Sequence, residues 1–226
     1  MISISGKCLT DFGLPPPQRR GELSSEVVKE LNYDTAVLKA QVNEMIPRLL
    51  SEQRQIYETI LNRVNSGEER LFFLDAPEGT GKKFGLNLLL AQLRKDHNIA
   101  LAVSSSGIAA TFLNSGHIEH SVFKFQLNLP SEHTPTCNIT KNNDRGVLLQ
   151  QFKFIVWDKC TMSHKHALKA LNRSLQDIHG SQAVMGGFAV LLTSDFRQTL
   201  PSVDQTVIHT HQNLHNSHAN EVSGKS

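Results

Sequence analysis

The chain has 226 residues, 39% of them hydrophobic, and 23 Lys and Arg against 21 Asp and Glu give a net charge of +2. A chain of this length can bury one good core. So small a net charge makes no overall case for a nucleic-acid partner, although a basic face can still be clustered. No apolar run approaches the ~20 residues of a membrane helix, and the first residues lack the apolar run of a signal peptide. The cysteines are odd in number, without metal-type spacing, and indicate free thiols in a reducing compartment. We therefore expect an intracellular, non-secreted protein.

In chain order, residues 1–50 combine a Pro15-Pro16-Pro17 break with a helical stretch at 24–45. Residues 51–67 place Ile56, Ile60 and Val64 at helical spacing, which predicts an amphipathic helix ending at Gly67. From there strands and helices alternate. Strands are predicted at 71–76, 98–104, 152–158 and 187–193, and helices at 82–95, 107–113 and 163–179. Strands that are apolar throughout and separated by helices predict a parallel sheet covered on both faces.

Two polar stretches interrupt this pattern. Residues 126–146 have the composition of a polar surface insertion, and the His- and Asn-rich residues 204–226 that of a disordered tail. Trp157 and Met162 are expected to pack in the core. The resulting division is an N-terminal helical or irregular segment (1–50), an α/β domain (51–203) and the tail (204–226).

The chemistry-bearing motif lies between the first predicted strand and the helix that follows it. Residues 76–82, APEGTGK, fit the phosphate-loop pattern, in which backbone N–H groups at a helix N-terminus surround an anion and a lysine reaches the outer phosphates. The second part of such a site is an acidic residue ending a neighbouring strand, and Asp158 stands there, where it would hold Mg²⁺ through water. Asp195 and Gln198 follow the last strand, at the sheet edge where ligands bind in such folds.

Five runs of sequence together resemble the Pif-type (petite integration frequency) DNA helicases, most of all the version encoded by Helitron transposons. The runs are LLSEQRQIYETI, APEGTGKKF, SSSGIAATFLNSGHIEHSVFK, IVWDKCTMSHKHALKALNRSLQDI and LLTSDFRQTLP. The resemblance implies the first RecA-like domain of a P-loop NTPase that uses ATP and Mg²⁺ to move 5′ to 3′ on single-stranded DNA. It also implies roles in genome maintenance, repair, recombination or transposition, in the nucleus or the mitochondrion. We expect a monomer with no membrane contact.

The same resemblance assigns roles to individual residues. Gln53 is similar to the glutamine that reads adenine, Asp158 to the magnesium-associated aspartate, and Gln198 to the glutamine that senses the γ-phosphate. The nucleotide-binding loop comprises Ala76, Pro77, Glu78, Gly79, Thr80, Gly81, Lys82 and Lys83. The segments that resemble the DNA path contain Ser106, Gly107, His120, Ser121 and Phe123.

Four positions depart from the family pattern. Lys83 replaces the hydroxyl that ligates Mg²⁺, and an ammonium group cannot coordinate a cation. Glu78 replaces a glycine and brings a carboxylate to a loop built for anions. Lys159 replaces the catalytic glutamate, and we expect it to pair with Asp158. Ser194 replaces a glycine, and the second RecA-like domain, which supplies the arginine finger, is expected to be absent.

These departures leave three interpretations open. The chain is an active ATPase or helicase, a nucleotide- or DNA-binding module that no longer hydrolyses ATP, or a decayed transposon-derived fragment without activity. The departures favour a chain whose ATP-dependent helicase activity is impaired or lost.

Overall fold

The computed structural model describes residues 32–67, 71–126, 129 and 132–198. In that part of the chain the strands form one 5-stranded sheet in the order β1-β5-β4-β2-β3, and every neighbouring pair is parallel. The strands are β1 (Leu71–Asp75), β2 (Ile99–Ser104), β3 (Gly116–Ile118), β4 (Phe152–Asp158) and β5 (Ala189–Ser194). The predicted parallel sheet is confirmed.

The helices include those that the sequence pattern predicts and two short ones that it does not, α5 and α6. They are α1 (Thr35–Met45), α2 (Ser51–Ser66), α3 (Lys82–Lys95), α4 (Gly107–Thr111), α5 (Glu119–Phe123), α6 (Asp144–Leu149) and α7 (Lys165–His179). Single 3₁₀ turns occupy Ile46–Arg48, Cys160–Met162, Val184–Gly187 and Phe196–Gln198. None of these helices is long and apolar enough to cross a membrane.

Helices cover both faces of the sheet, as predicted. On one face α3 contributes fully buried leucines such as Leu88 and Leu90, which belong to the same cluster as Phe154 and Leu191 of the strands. Val42 of α1 is buried in this cluster, so residues 35–45 are part of the domain rather than a separate N-terminal segment. On the other face α7 packs its apolar stripe against Ile155, Trp157, Val190 and Leu192.

The segment at 126–146 is not the surface insertion that its polarity predicts. Leu129, Cys137 and Ile139 are buried in the α7-side core, and the Cys137 N–H donates to the Ser174 hydroxyl at 2.8 Å. Buried apolar residues alternate with exposed polar ones here, so the average composition hides the anchors. The Asn138 N–H donates to the carbonyl of Lys124, just after α5, at 2.9 Å, which ties the segment to the end of that helix.

Two other expectations need correction, and one short strand was missed. Phe73 of β1 is 49% exposed, because β1 is an edge strand in the described sheet, whereas the apolar run LFFLDA predicts a strand buried on both faces. Met162 is 59% exposed rather than in the core, while Trp157 is fully buried as expected. The short strand β3 was not predicted, since its three residues, GHI, carry no apolar run. The predicted tail 204–226 and residues 1–31 lie outside the described residues.

Candidate nucleotide site and DNA-facing segments

The carboxyl ends of the parallel strands meet at one edge of the sheet and bring the predicted site together. Asp75 of β1 is in register with Ser194 of β5, and Ser104 of β2 with Asp158 of β4. The connections that follow β1, β4 and β5 all start at this edge. It is the edge at which open parallel sheets bind ligands.

The phosphate loop leaves β1 and turns into α3 through two glycines in left-handed conformations. Gly79 has φ +86° and Gly81 φ +76°, a region that side chains other than glycine's rarely adopt. The Gly85 N–H donates to the Gly81 carbonyl at 3.1 Å and closes the first turn of α3. The N–H groups that precede Gly85 in this turn have no hydrogen-bond acceptor within the helix. Backbone donors at a helix start are the groups that hold a phosphate.

Two contacts with the end of β5 hold this loop in place. The Ala76 N–H donates to the Ser194 carbonyl at 3.1 Å, and the Glu78 N–H donates to the Asp195 carboxylate at 3.1 Å. Within the loop the Thr80 hydroxyl donates to the Pro77 carbonyl at 2.7 Å. The Asp195 carboxylate therefore holds the loop at Glu78, a role that the sequence did not assign to it.

Lys82 and Asp158 form a buried ion pair beneath the loop. The Lys82 ammonium lies 3.7 Å from Asp158 Oδ1, and the side chains are 5% and 0% exposed. The ammonium also donates to the Ser194 carbonyl at 3.0 Å, and Asp158 Oδ1 accepts from the Thr193 hydroxyl at 2.6 Å. Asp158 Oδ2 is buried without a hydrogen-bond partner among the described residues. The lysine predicted to reach phosphate is thus paired with the predicted magnesium-associated aspartate.

The Gln53 side chain lies against the loop, and both ends of its amide group are hydrogen-bonded. Its Nε2 donates to the Thr80 carbonyl at 2.8 Å, and its Oε1 accepts from the Leu50 N–H at 3.1 Å, capping α2. A Cβ atom at Gly81 would lie 2.6 Å from this Nε2. In this arrangement Gln53 supports the loop. Its amide could hydrogen-bond to adenine only if its bonds to Thr80 and Leu50 were replaced.

Glu78, Lys159 and Gln198 meet above the loop, and we call this cluster the loop bridge. The Lys159 ammonium donates to Glu78 Oε1 at 2.8 Å and to the Gln198 amide oxygen. Hydrogen bonds from Lys159 and Gln198, together with the Lys159 charge, lower the pKa of Glu78 to about 2. The expectation that Lys159 pairs with Asp158 is wrong, because Lys82 already fills that position and Lys159 faces the loop.

Lys83 leaves the phosphate region altogether. Its ammonium lies 3.8 Å from the centroid of the Phe112 ring, at the end of α4, a distance at which a cation is attracted to the ring face. The position that a magnesium-ligating hydroxyl would occupy therefore provides no oxygen. Asp158 Oδ2 is the one buried acceptor that stays open at the site in the described residues, and no described group of three or more His, Cys, Asp or Glu could hold a metal. Mg²⁺ takes several oxygen ligands in an octahedral arrangement, partly from water and phosphate, and this chain offers it fewer protein oxygens than the family pattern does.

The model for PIF1-like helicases matches residues 48–220. This chain belongs to the PIF1-like helicase family. It is 27% identical over 143 residues to the ATP-dependent DNA helicase Pif1 of a Psychrobacter species, covering 63% of the chain but 21% of that relative. The chain therefore spans about a fifth of the length of the curated relative it matches.

Solved Pif1 structures share the fold. Unliganded Pif1 from a Bacteroides species has a TM-score of 0.52 at 22% identity, covering 70% of this chain and 34% of that one. Pif1 helicase from Candida albicans has a TM-score of 0.54 at 23% identity, covering 69% and 34%. At these identities the likeness shows the α/β architecture.

Four of the five residues that the PIF1-like resemblance places near DNA follow the carboxyl ends of the neighbouring strands β2 and β3. Ser106 caps α4 through its hydroxyl, and Gly107 begins that helix. The His120 side chain is 60% exposed, and the Ser121 hydroxyl donates to the Ile118 carbonyl at 2.8 Å. Phe123 is a correction: it is fully buried and its ring lies 5.6 Å from that of Trp157, so it cannot stack on a base.

A chain of polar contacts that the sequence did not reveal connects these segments with Asp158. The Ser105 N–H donates to the Asp158 carbonyl at 3.2 Å, and the Ser105 hydroxyl accepts from Trp157 Nε1 at 2.9 Å. The same hydroxyl meets that of Ser163 at 2.8 Å, and Ser163 donates to the Glu119 carboxylate. Glu119 is 2% exposed and precedes His120. A glutamate in GHIEHSVF carries no sequence signal of burial, so only the packing exposes this connection.

Proposed function

We propose that this chain is the nucleotide-binding first domain of a Pif1-type DNA helicase and that it binds ATP without hydrolysing it at a useful rate. The loop Ala76–Lys82 supports binding, because its backbone has the form that holds phosphate and is anchored at Ala76 to Ser194 of β5 and at Glu78 to Asp195. The relative in Psychrobacter is named an ATP-dependent DNA helicase, and a Bacteroides Pif1 of the same fold is known in complex with ADP-AlF4.

The observation that carries the loss of hydrolysis is the loop bridge. The group that would position the attacking water is, in the family pattern, a glutamate at the position of Lys159. A protonated amine cannot accept a proton from water, and this ammonium is already bound to Glu78. Asp158 is a poor replacement for that base, since its side chain is fully buried and its charge is already paired with Lys82.

Single-stranded DNA is the proposed polymer partner. A Bacteroides Pif1 is known bound to single-stranded DNA, and this chain presents His120 and Ser121 on a surface next to β3. The polar chain through Ser105, Ser163 and Glu119 gives that surface a physical connection to the end of β4. A DNA partner implies a compartment that contains DNA, the nucleus or a mitochondrion, and a role in repair, recombination or transposition.

The test combines nucleotide binding with phosphate release. We expect the wild-type chain to bind a fluorescent ATP analogue with micromolar affinity and to release no phosphate above a blank, with or without single-stranded DNA. A triple variant with Glu78→Gly, Lys83→Thr and Lys159→Glu, here called the restored variant, regains the family pattern at three of the four departing positions and should bind in a magnesium-dependent way. Lys153→Gln, on an exposed part of β4, is the control and should bind as the wild type does.

Two outcomes would contradict the proposal. Phosphate release by the wild type above the blank removes the claim of lost hydrolysis. Absence of nucleotide binding in both the wild type and the restored variant, with native far-UV circular dichroism in each, removes the nucleotide site and leaves the decayed fragment. For DNA, we expect a salt-sensitive mobility shift that His120→Ala weakens and His97→Asn, at the opposite end of β2, does not.

A further inference from the structure

A cation is already built into this nucleotide site. The Lys159 side chain is 13% exposed, and it follows Asp158 in a left-handed backbone conformation, with φ +55°. Its ammonium lies where the ends of β4 and β5 and the phosphate loop come together, since its partners are Glu78 of the loop and Gln198 beyond β5. Mg²⁺, by contrast, finds few protein oxygens here, because Lys83 brings no hydroxyl and only Oδ2 of Asp158 stays open among the described residues.

The group that Lys159 now binds is chemically close to a phosphate. A carboxylate and a phosphate oxygen both take charge-assisted hydrogen bonds from an ammonium group. The Glu78 side chain is 60% exposed, so water can replace its contacts when it swings away. Its backbone stays in place, because the N–H of Glu78 is held separately by Asp195. Glu78 is thus an exposed internal anion bound to a mostly buried cation.

We propose that Lys159 supplies the positive charge that a divalent cation would supply, and that the site binds the phosphate chain of a nucleotide without Mg²⁺, with Glu78 as its internal competitor. The inference rests on the proposed function, since it requires that the loop binds nucleotide. Lys82 at the start of α3 and Lys159 just after β4 then both face the phosphates. Incoming phosphate displaces Glu78 from Lys159, and the freed carboxylate turns to solvent.

The experiment is a titration of a fluorescent ATP analogue in excess EDTA and in millimolar Mg²⁺. For the wild type we expect dissociation constants that agree within about threefold between the two conditions. Glu78→Gln removes the internal competitor and should strengthen binding in EDTA at least about tenfold, the equivalent of one charge-assisted hydrogen bond. Lys159→Gln should weaken binding in EDTA by a similar factor, Lys159→Arg should preserve it, and Lys153→Gln should leave it unchanged.

The variants also separate this inference from the proposed function. Binding that requires Mg²⁺ in the wild type, or that Lys159→Gln leaves unchanged in EDTA, overturns the inference while nucleotide binding stands. Failure of the wild type, Glu78→Gln and the restored variant to bind under either condition overturns both. Equal urea midpoints for the wild type and Lys159→Gln establish that a loss of binding in that variant does not come from unfolding.

Discussion

Replacing Lys82 by methionine should destabilise the fold as well as weaken nucleotide binding. The ammonium lies 3.7 Å from Asp158, and both side chains are buried. At that distance, with an effective dielectric constant of ~20, two unit charges attract by about 4.5 kcal/mol. Part of this is offset by the desolvation of the lysine, and removing one partner of a buried pair typically costs ~3–5 kcal/mol. We expect the free energy of unfolding to fall by about 3 kcal/mol.

Urea denaturation followed by the fluorescence of the buried Trp157 measures this loss. With a slope of about 2 kcal/mol per molar urea, the midpoint should fall by about 1.5 M. The double variant Lys82→Met/Asp158→Asn removes both charges and should recover at least half of the loss, because an asparagine at 158 still accepts from Thr193. Lys153→Met, at an exposed position of β4, should change the free energy of unfolding by no more than about 0.5 kcal/mol.

An unchanged midpoint for Lys82→Met would refute this reasoning. It would mean that Asp158 finds another partner or water when the lysine is gone, and that the pair is not the structural element we infer. If the prediction holds, a Lys82 variant is not a clean test of nucleotide binding in this chain. The exposed residues of the loop bridge are then the better sites for mutation.

Further predictions concern the loop bridge, the thiols and the loop itself. The loop bridge lowers the pKa of Glu78 from 4.5 to about 2. The stability that ionised Glu78 contributes should therefore be complete above pH 4.5 and disappear as the pH falls through about 2. Carbon-13 NMR of the carboxyl group should show this pKa, and Lys159→Gln should return it toward 4.5. Burial raises the pKa of the Cys137 and Cys160 thiols to about 12. With Cys8 replaced by serine, the native protein should therefore not react with Ellman's reagent at about pH 8 until urea unfolds it. Prompt reaction of the native protein would show that the α7-side core opens. Gly81→Ala places a Cβ 2.6 Å from a side-chain amide at φ +76°, and a urea midpoint equal to that of the wild type would contradict the expected loss of about 1–2 kcal/mol.

Much of this fold follows from local patterns. The strands β2, β4 and β5 and the helices α3 and α7 were predicted within about two residues, because apolar runs and helical spacing are properties of contiguous sequence. The phosphate loop was predicted for the same reason, since its glycines, its lysine and the flanking strand and helix are consecutive. Elements without such a pattern were missed: β3 has three residues, and the buried anchors of 126–146 alternate with polar neighbours.

The candidate site divides along the same line. The sequence named Lys82, Asp158 and Gln198 as site residues, and the structure brings all three to one edge of the sheet. It also named Phe123, which the structure assigns to the core. A family motif marks a stretch of chain, whereas the face that each of its side chains presents depends on what packs against it.

The sequence by itself determined that this chain is a parallel α/β domain with a phosphate loop and that its chemistry departs from the family pattern at Glu78, Lys83 and Lys159. Only the tertiary structure decided what those departures do. Glu78 and Lys159 are 81 residues apart in the chain, and they meet because β1 and β4 lie on either side of β5, so the loop after β1 and the residue after β4 reach the same edge of the sheet. Taken singly, each substitution removes a catalytic feature. In contact, the two charges compensate each other, which no local pattern could show because the contact depends on how distant strands pair.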